Sequence, residues 1–149
     1  MGYGYGVWLT YDKVIFNTKH VPHVTIACFM NLSDAYELKD KIQKKFGDNF
    51  LINAHGKPIT YDKNLYENDN NDIDSWGYDV ELIESSQWSE IRKITENYIC
   101  DIPDILHTSV QYSCYDDYCI GIPIKNMIIN CKLVVVDIRS NDPTEWKIM

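Results

Sequence analysis

Apolar positions along this chain fall mostly into short β-branched and aromatic runs, with two stretches that change to helical spacing. Residues 3–10 read as a strand, aromatic and β-branched, whose glycines permit close backbone approach. Residues 24–30 are apolar enough for a central strand. Asn31-Leu32-Ser33-Asp34 supplies polar caps and an acid for a first helical turn. Ala35, Leu38, Ile42 and Phe46 then mark a buried helix face, with Lys39, Lys41, Lys44 and Lys45 toward solvent and the C-terminal end, and Gly47 stops the helix. Residues 49–53 read as a strand, 54–58 as a turn, 59–62 as a strand return and 78–83 as another strand. Ser85-Ser86 caps a second helix with Trp88, Ile91, Thr95 and Tyr98 on its buried face, ended at Asp101-Ile102-Pro103. Residues 106–112 and 132–139 complete the strands, ahead of a polar tail.

The two helices resemble each other in sequence, residues 32–42 against 85–94, and each half of the chain owns one such helix and one strand associated with a His-x-Thr/Ser pattern. This weak duplication predicts one domain over residues 1–149, built as two α+β lobes that face each other about a pseudo-two-fold axis.

Those strands carry the most informative pattern in the chain: His23-Val24-Thr25-Ile26 and His107-Thr108-Ser109-Val110. Residues i and i+2 of a strand point to one face, so each copy aims an imidazole and a hydroxyl at the same surface. Two such pairs suit a phosphodiester: one His takes a proton, the other gives one, and the hydroxyls hold phosphoryl oxygens.

Charge narrows the substrate. The net charge is −8, which disfavours a grip on long nucleic acid but permits a small nucleotide in a local pocket. The acidic tract at residues 67–74 supplies much of that charge and is expected to be a solvated loop. The five cysteines, Cys28, Cys100, Cys114, Cys119 and Cys131, include no CxxC pair and complete no zinc site, so reduced thiols and no metal are expected. No apolar run approaches a membrane span and no basic-then-apolar leader opens the chain, so a soluble, cytoplasmic protein is expected. Lys outnumbers Arg twelve to two and Ala is scarce, a codon bias of AT-rich genomes such as those of many large viruses.

With the residues His23, Thr25, His107 and Ser109, spaced 84 positions from His to His, the chain resembles the 2H phosphoesterase superfamily, which includes the 2'-5' RNA ligase-like proteins. The resemblance covers most of the chain; Thr108 is a mild departure, polar where the family is often apolar. It implies a bilobal α+β fold, with antiparallel sheets lining a central cleft and helices outside, and metal-independent phosphodiester chemistry with no cofactor. Family substrates include RNA 2',3'-cyclic phosphates, ADP-ribose cyclic phosphate, 2',5'-oligoadenylates and cyclic oligonucleotides. Length, acidity and composition are most similar to the viral members that degrade immune second messengers, such as the phage anti-CBASS nucleases and the coronavirus and rotavirus 2',5'-phosphodiesterases.

The expectation is therefore a monomeric phosphodiesterase of small nucleotide messengers, acting in the host cytoplasm against nucleotide-based immunity. The alternatives are an RNA-end enzyme acting on 2',3'-cyclic phosphates and a nucleotide-binding module without turnover. Bases need a flat partner, for which Trp146, Tyr5, Tyr11 and Tyr3 are the candidates, with Trp76 considered beside them; Trp146 stands out in a polar tail. His20 and His55 are expected to be surface residues. Lys19 and Lys125 are candidate phosphate attractors.

Overall fold

The structure is a computed structural model that describes residues 3–61 and 73–149. Among these residues the chain is α+β, with two α-helices and an open antiparallel sheet of eight strands. Helix α1 (Leu32–Phe46) starts where the sequence predicts. Asn31 Oδ1 accepts the Asp34 amide at 2.8 Å, and Gly47 ends the helix at φ 83°, in the left-handed region. Its buried stripe is Ala35, Leu38 and Ile42.

Helix α2 (Ser85–Thr95) differs from expectation at both ends. Glu84 is the N-cap and makes no side-chain cap bond, so Ser85 and Ser86 are the first helical residues rather than caps. The helix stops at Thr95, whose hydroxyl donates back to the Ile91 carbonyl. Tyr98 lies beyond the end and packs against the core from there.

Strand β1 (Tyr5–Thr10) lies between β2 (His23–Met30) and β7 (Met127–Asp137). On the other edge of β7 lies β3 (Asn49–Ala54). Strand β5 (Ser75–Leu82) pairs with β3 and, further along, with β4 (Ile59–Tyr61); β6 (His107–Tyr112) takes its opposite edge. Strand β8 (Lys147–Ile148), in the polar tail, pairs with the end of β7.

Two strands are longer than the pattern predicts. β7 begins at Met127 because Ile128, Asn130 and Lys132 alternate outward against buried Ile129 and Cys131, a half-exposed extension of its apolar run. β5 begins at Ser75 and passes through Gly77. A Cβ at Gly77 would run into the Thr108 carbonyl of β6, so the residue that argues locally against a strand is what lets two strands approach. Asp62 of the expected strand return and residues 67–72 of the acidic tract lie outside the described residues.

The helices cover one face of this sheet. Val7, Leu9, Val24, Ile26, Leu133 and Val135 point into that core with Leu38, Ile42 and Ile91. The alternate residues Trp8, Thr25, His23 and Val134 point to the opposite face. On the second half of the sheet Tyr61, Ser75, Gly77, Asp79, His107 and Ser109 share one face by the same register. The five cysteines form no disulfide. Among the described residues no helix is long and apolar enough to cross a membrane.

Candidate active site

β2 and β6 lie at opposite ends of the strand order, yet their starting ends meet. Thr108 Oγ1 donates to the His23 carbonyl at 2.8 Å, and Tyr11 Oη donates to Thr108 Oγ1 at 2.6 Å. The polar middle residue of the second motif is thus the link between the two motifs. The four residues picked from the pattern, His23, Thr25, His107 and Ser109, are all only 6–8% exposed.

The histidines are held alike. His23 Nδ1 donates to the Val21 carbonyl at 2.9 Å, and His107 Nδ1 donates to the Ile105 carbonyl at 3.1 Å. Each is a bond to the residue two positions back. A carbonyl only accepts, so Nδ1 carries the proton and the neutral ring keeps its lone pair on Nε2. Each ring also rests on an aromatic side chain, from the neighbouring strand β1 for His23 and from β4, beyond β5, for His107. His23 stacks on Trp8 at 3.5 Å between centroids and 6° between planes; His107 lies on Tyr61 at 4.2 Å and 33°. The position and tilt of each ring are therefore fixed before any substrate arrives.

Burial makes charge costly at both rings. It lowers His23 to about 3, helped by the neighbouring His20 and His107, and partly opposed by the Val21 carbonyl. Burial also lowers His107, but the Ile105 carbonyl and the Asp79 carboxylate pull it back up. Neutral imidazoles whose Nδ1 is tied are able to accept a proton at Nε2, and an anion placed between them would favour the charged form. Ser109 Oγ lies 2.9 Å from Ser75 Oγ, which adds a third hydroxyl to this face.

The remaining candidates separate cleanly. Trp146 is brought to the site: it meets His23 edge-on at 5.9 Å and Tyr112 at 5.5 Å, and its indole N–H donates to the Ser140 carbonyl. Tyr11 is buried beside the motifs, with its hydroxyl committed to Thr108. Tyr5 pairs with Met30 and Asp137, at the other end of the ladder from Thr10 and His23, and its ring faces Arg139. Tyr3 precedes that end of β1 and is exposed. Neither adjoins the histidines. Trp76 belongs to a separate cluster with Tyr78 and Val110.

His20 corrects the surface assignment: it is 1% exposed. Its Nε2 donates to the Ser109 carbonyl at 2.9 Å and its Nδ1 accepts from Tyr115 Oη at 2.7 Å. It is a neutral strut behind the second motif, and burial lowers it to about 4. His55 sits half-exposed beside Glu81 at 3.5 Å, as expected of a turn residue. Lys19 is paired with Asp117 at 3.0 Å, and Lys125 is exposed. Burial pushes Cys100 up to about 11 and Cys131 to about 12, the wrong direction for a thiolate nucleophile.

Among the described residues no group of three or more His, Cys, Asp or Glu is placed to hold a metal ion. The residues that sequence reasoning missed are Trp8, Tyr61, Ser75 and Asp79. All reach the site through strand register, which no local pattern displays. Compared with models of known protein families and with curated proteins, the chain has no match.

Proposed function

We propose that this chain is a metal-independent phosphodiesterase of the 2H phosphoesterase type, acting on small nucleotide messengers such as cyclic oligonucleotides or 2',5'-oligoadenylates. The observation that carries the reading is the repeated construction of its two histidines. Each has Nδ1 tied to the carbonyl two residues back, a ring seated on an aromatic side chain from another strand, and a hydroxyl two residues on. Two unrelated structural histidines have no reason to share all three features. A bilobal fold with the motifs facing across a cleft fits this repeat.

In the reaction one neutral imidazole takes a proton at Nε2 from water or from a ribose hydroxyl beside the phosphate. The oxygen so activated bonds to phosphorus, the bond from phosphorus to the leaving oxygen breaks, and the other ring, protonated, gives that oxygen its proton. Thr25 and Ser109 donate hydrogen bonds to the non-bridging oxygens as negative charge grows there. Trp146 offers a ring edge and face for a base next to His23.

The net charge of −8 supports a short ligand over a long polyanion, which the surface field would repel at low salt. A role against nucleotide-based immunity, from a virus, follows the resemblance and the codon bias of the sequence.

The test is a panel of cyclic dinucleotides, cyclic trinucleotides, 2',5'-oligoadenylate, nucleoside 2',3'-cyclic phosphates and a 20-nucleotide RNA with a 2',3'-cyclic end, each run with and without EDTA. Turnover of a short messenger in EDTA is expected. His23→Ala and His107→Ala should each lower kcat by at least about 100-fold, with smaller losses for Thr25→Ala and Ser109→Ala. Preference for the long RNA would instead favour an RNA-end enzyme, and tight binding without turnover a nucleotide-binding module.

A further inference from the structure

The two halves of the site match in the histidines and differ in what stands beside them. Across the β1/β2 ladder His23 is opposite Thr10, whose hydroxyl donates to the Pro22 carbonyl. Across the β5/β6 ladder His107 is opposite Asp79. That carboxylate is held in place. Tyr61 Oη donates to Asp79 Oδ1 at 2.9 Å, while the ring of the same tyrosine lies on His107. One side chain thus seats the imidazole and anchors the acid next to it. The first half has Trp8 in the corresponding seat, with an indole and no hydroxyl.

We propose that Asp79, anchored by Tyr61, is a positioning residue that breaks the symmetry of the histidine pair and makes His107 the general acid and His23 the general base. This rests on the phosphodiesterase reading above.

A carboxylate beside an imidazole favours the imidazolium, because the two charges attract, and the buried His107 end of the pair is shielded from solvent. The titratable groups around His107 include Tyr61 from β4, Asp79 from β5 and, acting through space, His23 from β2. Tyr61 is pushed far above its ordinary range by burial and by Asp79, so it stays neutral. Beyond Asp79, a cavity of about 350 Å³ is lined by Glu81, Asp104 and His55 together with Ile105 and Trp88. Glu81 and Asp104 are exposed there and screened by solvent, so Asp79 is the carboxylate that acts on His107. The groups acting on His23 are His20 and His107, both of which disfavour its charged form. A proton shared between the rings therefore sits on His107, which leaves His23 able to accept one. With the roles reversed, His23 would have to hold a proton in the more hostile of the two environments.

The test pairs two readouts on the full chain. Imidazole resonances of His23 and His107 are titrated by NMR in wild type, Asp79→Asn and Asp79→Glu. In parallel, kcat/KM is measured against pH on whichever diester of the panel is turned over. Asn keeps the Tyr61 hydrogen bond and the volume while removing the charge, so the fold is retained. The expected result is a His107 midpoint lower by at least about one pH unit in Asp79→Asn, with His23 moving much less and Asp79→Glu near wild type. The alkaline limb of kcat/KM, where the acid loses its proton, should move down by the same amount, and the acid limb should stay. An unchanged His107 midpoint, or a displaced acid limb with the alkaline limb still, overturns the inference while the phosphodiesterase reading stands. A shifted midpoint in a protein that turns over no diester shows the electrostatic coupling but overturns the catalytic role, along with the function it rests on.

Discussion

Thr108 and His23, 85 residues apart in sequence, are joined by a 2.8 Å hydrogen bond from the threonine hydroxyl to the histidine carbonyl. The hydroxyl is fully buried and accepts in turn from Tyr11. The three groups form a chain that passes from the connection after β1, through the second motif, to the first residue of the first motif. It sets the distance between the two histidine strands without touching either imidazole. Thr108→Val keeps the shape and removes the hydroxyl, which strands a buried carbonyl and a buried phenol. A loss of about 1–3 kcal/mol is expected in urea unfolding. A double-mutant cycle with Tyr11→Phe should show strong non-additivity, because both changes break one chain. Additive effects would mean that the two bonds act independently.

Trp146 lies against the edge of His23 and Tyr112, in a turn tied by its indole N–H to Ser140. If a base stacks there, Trp146→Ala should raise KM by roughly 5- to 100-fold for a purine messenger, with a smaller change in kcat, as stacking is typically worth about 1–3 kcal/mol per base. Tyr5→Ala, at the far end of β1, should leave KM as it was. Steady-state kinetics of both variants on one substrate distinguishes this from a general loosening of the fold, which would move both parameters in both variants.

His20 and His23 make stability depend on pH. Both are neutral in the fold because burial lowers them, to about 4 and about 3, against an ordinary value of 6.5. Between those values and 6.5 the unfolded chain binds protons that the folded chain refuses, so stability rises with pH there. The contribution is complete above 6.5 and is lost as pH falls through the folded values. The slope is up to about 1.4 kcal/mol per pH unit for each ring. Urea midpoints measured from pH 8 to pH 4 should be flat at first and then fall, and His20→Gln should reduce the fall. A midpoint that is constant down to pH 4.5 would show that these rings titrate normally.

Gly77 decides how closely β5 approaches the second motif. Gly77→Ala places a methyl against the Thr108 carbonyl and the Ser109 backbone, which cannot step aside as a flexible side chain would. Destabilisation of about 1–3 kcal/mol is expected. Displacement of Ser109 and His107 should also lower kcat further than the stability loss explains. Folding free energy and kcat measured on the same preparation check this together.

Local periodicity was enough to read α1 over Leu32–Phe46, with its Asn31 cap and its Gly47 stop, and to place strands at both histidine motifs. It also picked out His23, Thr25, His107 and Ser109 as partners, because a strand sends residues i and i+2 to one face wherever it lies. Trp146 stood out for a related reason: a large ring in a polar tail has little local cause. Only the tertiary structure decided the rest. Trp8, Tyr61 and Asp79 reach the histidines through register between strands, and register is set by packing over the whole sheet rather than by neighbours in sequence. The same holds for His20, which reads as a surface residue at a strand entry but whose ring is enclosed by Ser109 and Tyr115 from far along the chain. Tyr3 and Tyr5 fail as neighbours of the site for the converse reason. Tyr5 shares a strand with Trp8 and Tyr3 precedes it, but a strand rises about 3.3 Å per residue, and chain proximity becomes distance along its axis.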